Sequence, residues 1–79
     1  MRNMRRYMHT LERLAWVVET ERQQLGWSQN ELAVRARTSE TVVENIERGE
    51  AEDVETVRRV LHALGVEILV LPGELAAAR

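Results

Sequence analysis

Little in this chain is arranged for covalent chemistry. His9 and His62 stand alone, with no nucleophile beside either. No glycine-rich phosphate loop, H-x-x-x-H pair or Ser/His/Asp set occurs. There is no cysteine, which excludes a disulfide scaffold and any thiolate metal site. No catalytic residue, metal site or cofactor is expected, and both histidines should face solvent. What remains is charge and hydrogen bonding. Glu40, Glu44 and Glu47 recur within SETVVENIERG (39–49), while Arg2, Arg5 and Arg6 open the chain without an acid in MRNMRRYMH (1–9). Every basic residue is an arginine.

The elements that position these groups must come from 79 residues, enough for one domain. Such a domain buries only about 60% of the surface its unfolded chain exposes, and small folds often gain stability by oligomerising. A composition 44% hydrophobic and 30% charged suits a soluble globular fold. The longest apolar runs, AWVV (15–18) and ILVL (68–71), fall far short of a membrane span. No secretory signal opens the chain, so a cytoplasmic location is the default expectation.

Helical periodicity and caps divide the chain. Thr10 can cap a first helix whose apolar stripe is Leu11, Leu14, Ala15, Val18 and Leu25, ending at Gly26. Ser28 and Glu31 spell a capping box, flanked by Trp27 and Leu32 at the positions of a hydrophobic staple. That predicts a second helix over about 29–36, with Leu32, Ala33 and Ala36 inward. Ser39 caps a third helix to about Arg48, with Val42, Val43 and Ile46 on its apolar side and Gly49 after it. Only about two residues separate these helices, and small Ala33 lets them cross closely. Asp53 caps a fourth, with Val54, Val57, Val60, Leu61 and Leu64 in register and Gly65 at its end.

VEILVL (66–71) then breaks the rhythm. It is β-branched, apolar and closed by Pro72-Gly73, so it reads as a strand. No second strand is visible, and unpaired backbone groups are costly. One solution pairs the strand with its copy across a two-fold axis; the other lays it on its own helices. Trp16 and Val17 widen the first helix's stripe, either as a broad buried face or as a second contact surface. The expected dimer contacts are Trp16, Val66, Ile68, Leu69, Val70 and Leu71. The expected organisation is a basic arm (1–9), a helical domain (10–65), a strand (66–71) and a tail (72–79).

Gly26-Trp27-Ser28-Gln29, Glu31-Leu32-Ala33, Ser39, Ile46-Glu47-Arg48-Gly49 and Leu61-Leu64-Gly65 carry a resemblance. Over about residues 11–65 the chain resembles the XRE family, the Cro- and lambda-repressor-type helix-turn-helix domains. RQQLGWSQNELA (22–33) is especially similar to HipB-type antitoxins. The resemblance implies an all-α domain of four to five helices, followed by one strand that pairs across a dimer. It implies double-stranded DNA with a palindromic operator as a partner, and a cognate toxin as a possible second one.

By the same resemblance Gln29 meets a phosphate, aided by its helix dipole. Ser39, Glu40, Thr41, Glu44 and Asn45 are the groove-facing positions; the charges of Arg35 and Arg37, beside that surface in the sequence, are expected to meet phosphates. Glu47 is a common, structural residue at its position. Glu40 and Glu44 depart from the usual Gln, Arg, Lys or Ser. Arg37 departs from a frequent glycine whose backbone is left-handed, a conformation costing other residues roughly 1–2 kcal/mol. Two readings of the acidic helix follow. Either Glu40 or Glu44 accepts from cytosine N4, in a repressor and autoregulating antitoxin. Or the helix has lost DNA and serves a toxin or other protein, or faces only solvent. The basic arm likewise either follows DNA or does nothing.

Overall fold

Among the described residues, three of the four helices open at a capping side chain and run free of glycine and proline. The computed structural model describes residues 2–51 and 53–66, with side chains from Thr10 onward. Its elements are α1 (Arg2–Gln24), α2 (Gln29–Ala36), α3 (Glu40–Glu47) and α4 (Val54–Ala63). The all-helical expectation holds among the described residues. Of the expected strand, Val66 is described and lies in no strand. Ile68, Leu69, Val70 and Leu71 lie outside the described residues, as does the tail.

The caps expected at Ser28, Ser39 and Asp53 all form. Ser28 Oγ accepts from the Glu31 N–H at 3.0 Å, and Glu31 Oε1 accepts from the Ser28 N–H at 3.0 Å. Ser39 Oγ accepts from Val42 N–H, and Asp53 Oδ1 from Glu55 N–H. Thr10 is the exception: it lies inside α1, which begins at Arg2. Nothing between Arg2 and Thr10 stops a helix, and Arg and Met favour one, so a good capping residue alone did not make an end.

All four helices end alike. Trp27, Thr38, Glu50 and Val66 donate their N–H groups back to Arg22, Ala33, Asn45 and Leu61 carbonyls, closing the same wide turn. Each turn needs one left-handed residue. Glycine supplies it at 26, 49 and 65; after α2 the residue is Arg37, at φ 59 and ψ 48.

Packing follows the stripes. α2 lies against α3 and α4, and α1 against α3. The core is Val18 of α1, Leu32, Ala33 and Ala36 of α2, Val43 and Ile46 of α3, and Val57, Val60, Leu61 and Leu64 at α4. Trp27 packs on it from the staple position. Full burial of side chains such as Leu61 stabilises by about 1.5–3 kcal/mol each, and Leu61→Ala would cost about 2–5 kcal/mol. Two stripe residues are not core: Leu25 is 46% exposed and Val54 71% exposed. Both stand at helix margins, where the packed neighbour has already turned away.

Candidate nucleic-acid interface

The corner between α2 and α3 decides what α3 presents. Left-handed Arg37, a bend at Thr38 and extended Ser39 reverse the chain in three residues. Val43 and Ile46 then face inward, with Glu47 beside them. Helical geometry sends Thr41, Glu44, Asn45 and Arg48 to the opposite side, at spacings of three, four and seven. Glu40 and Thr41 are exposed, and Glu44 and Asn45 half-buried. A short helix with one polar, outward stripe is therefore held on a rigid corner.

A part-buried polar lock fixes it. Arg22 Nε donates to Glu47 Oε2 at 2.7 Å and Nη2 to Glu47 Oε1 at 3.0 Å. Their side chains are only 13% and 6% exposed. Arg22 Nη1 also donates to the Trp27 carbonyl, joining α1 to the entry of α2. The hydrogen bond to Glu47 holds the guanidinium above its ordinary pKa, against the opposing effect of burial. Gln29 Nε2 donates to Glu47 Oε1 at 3.0 Å. Glu47 is thus structural, as its family position implies.

The expected site residues fall into two groups. Gln29, Ser39, Glu40, Thr41, Glu44 and Asn45 lie on α2's first turn and on α3. Gln29 gives one amide hydrogen to Glu47. Ser39 spends its hydroxyl oxygen on the α3 cap. Glu40 accepts from Asn30 Nδ2 at 3.4 Å, across the corner. Arg35 and Arg37 lie apart from these. They line a hollow of about 670 Å³ between α2's last turn and α4, shared with Arg58, Arg59 and His62. Arg35 stacks on the Trp27 ring, 4.2 Å from its centroid. Arg59 Nε donates to the Ala36 carbonyl, tying α4 to the corner.

Arg48 is a residue the sequence reading left out of the site. It follows α3's last turn, its side chain 62% exposed, and donates to Asn45 Oδ1 at 2.6 Å. Its spacing of seven from Thr41 was the available signal.

The expected dimer residues are not brought together within the described part. Trp16 is 67% exposed, at a hollow of about 370 Å³ shared with Glu12, Arg13 and Val17. Val66 is half-buried and lines the other hollow, at α4. His62 is exposed, as expected. Among the described residues no cluster of His, Cys, Asp or Glu could hold a metal ion, and no helix is long and apolar enough to cross a membrane.

A family model described as helix-turn-helix matches residues 18–71. That span takes in the end of α1 from Val18 to Gln24, the α2–α3 corner and α4. No curated protein and no solved structure matches the chain.

Proposed function

The chain belongs to the helix-turn-helix family, of the XRE type, whose members are DNA-binding regulators, and from that premise we propose a sequence-specific repressor. Its most specific form is an antitoxin that neutralises a co-expressed toxin and represses its own promoter as a homodimer. The observation that carries the DNA reading is the corner: left-handed Arg37 and the Ser39 cap turn Thr41, Glu44, Asn45 and Arg48 outward on one stripe. Gln29 opens α2, and a helix N-terminus favours a phosphate.

The acidic residues have a place in this reading. Glu44 accepts from cytosine N4 and adds selectivity without affinity. Attraction to the phosphates comes from Arg35, Arg37 and Arg48, and from Arg2, Arg5 and Arg6 on the first helix. Dimerisation doubles the contacts, through Ile68, Leu69, Val70 and Leu71 of each copy. A two-fold dimer reads a palindrome whose half-sites lie about 34–36 Å apart, or a multiple of that.

A second reading keeps the fold and drops the DNA: a module that binds a toxin or other protein. Exposed Trp16 and the two outward carboxylates on α3 favour it. Salt separates the two. Binding to the DNA upstream of its own gene should weaken steeply with salt, with a log–log slope of about −5 for some six phosphates. A folded protein that fails to bind that DNA at low salt supports the protein-only module.

A further inference from the structure

The hollow between α2's last turn and α4 concentrates positive charge in a chain whose net charge is −2. Arg35, Arg37, Arg58 and Arg59 line it with His62. Glu55 is the only acid among the described residues that line it, and its Oε1 lies 3.5 Å from Arg58 Nη1. That leaves Arg35, Arg37 and Arg59 without a facing carboxylate in the hollow. Like charges gathered in one place repel, and an anion among them relieves the repulsion.

Two of these three are already steadied by the fold. Arg35 lies on the Trp27 ring, 4.2 Å from its centroid. Arg59 Nε donates to the Ala36 carbonyl at 3.3 Å. Donors held in advance lose little freedom when they bind. Arg37 is the third. It takes the left-handed place that glycine fills after the other three helices, where an arginine is strained. Among the described residues its side chain makes no hydrogen bond or ion pair. A strained residue whose charge serves no contact within the fold points to a ligand outside it.

The hollow is not purely ionic. Half-buried Ala63 and Val66 add apolar lining. Its volume, about 670 Å³, falls within the roughly 300–1,000 Å³ of small-molecule sites. We propose that it binds a small organic anion, a phosphate or carboxylate group carried on an apolar body. The acidic group meets Arg35, Arg37 and Arg59, and the body rests on Val66 and Ala63. The site lies apart from α3's outward stripe, and the inference stands whether or not that stripe binds DNA.

Amide shifts of the labelled full-length protein, titrated with phenyl phosphate, test this. Residues 35–37, 58–63 and 66 should move together and saturate. Inorganic phosphate, which has the charge without the body, should bind about tenfold more weakly. Phenol, which has the body without the charge, should leave those residues unmoved. Arg37→Gly relieves the strained backbone and so keeps the fold; it should weaken phenyl phosphate about tenfold. Arg13→Gln, on α1, should leave that affinity unchanged. Absence of a saturating shift at those residues overturns the proposal. So does inorganic phosphate binding as tightly as phenyl phosphate, undiminished affinity in Arg37→Gly, or an equal loss in Arg13→Gln. None of these outcomes touches the DNA reading, which the salt dependence of duplex binding tests separately.

Discussion

Arg22 and Glu47, 25 residues apart, meet in a two-pronged ion pair with Nε–Oε2 at 2.7 Å. Gln29 completes it from α2. Three helices therefore share one part-buried polar knot, behind the outward stripe of α3. Loosening the knot would release the Gln29 amide.

Glu47→Ala should destabilise the fold by about 1.5–3 kcal/mol, because Arg22 and Gln29 lose their charge-assisted hydrogen bonds and Arg22 keeps only the Trp27 carbonyl. That is a large share of the ~5–15 kcal/mol typical of a native protein. The double change Arg22→Met with Glu47→Leu should recover most of the loss, since an apolar pair carries no desolvation cost. Urea denaturation measures both. A Glu47→Ala midpoint equal to the wild type would mean the pair contributes nothing.

Arg37→Gly should act in opposite directions on stability and binding. Left-handed backbone costs a non-glycine residue roughly 1–2 kcal/mol, and glycine's looser unfolded chain returns part of that. A net gain of about 0.5–1 kcal/mol should raise the melting temperature by a few degrees. The same change removes a charge at the corner, so DNA affinity should fall at low salt. A lowered melting temperature would show that Arg37 makes contacts outweighing its strain.

Asp53 should give the fold a specific acid dependence. Its carboxylate accepts from the Thr56 hydroxyl, the largest influence, and from the Glu55 and Thr56 N–H groups, and its pKa is lowered from 3.8. The folded state thus holds this proton less tightly than the unfolded chain. The stabilisation is complete above pH 3.8 and is lost as pH falls through the lower folded value. Asp53→Asn should flatten stability against pH over that window. An unchanged acid limb would assign it to other carboxylates.

Ile68→Pro should yield monomers by light scattering, because proline removes a ladder donor from the expected strand. An intact dimer would move the contact to the α1 surface around Trp16.

The local features were legible before any coordinates. Ser28 with Glu31, Ser39, Asp53 and the glycines at 26, 49 and 65 mark helix ends through contacts within five residues, and those ends fall where expected. Thr10 misled because capping chemistry marks an end only where the preceding chain cannot be helical. Leu25 and Val54 misled because periodicity says which side a residue takes, not where the neighbouring helix stops. The knot was illegible for a different reason: Arg22, Gln29 and Glu47 are far apart in the chain, and no spacing rule joins them. The same holds for Arg35 and Arg37, which sequence proximity groups with α3 but packing groups with Arg58 and Arg59.

Thr41, Glu44, Asn45 and Arg48 are the residues we propose meet DNA. Backbone amide shifts recorded while a selected duplex is titrated into labelled protein test it most directly. The largest changes should fall on residues 28–31 and 39–48, with α1's Trp16 side nearly silent. Shifts centred on Trp16 or on the outer face of α4, with residues 39–48 unmoved, would contradict it.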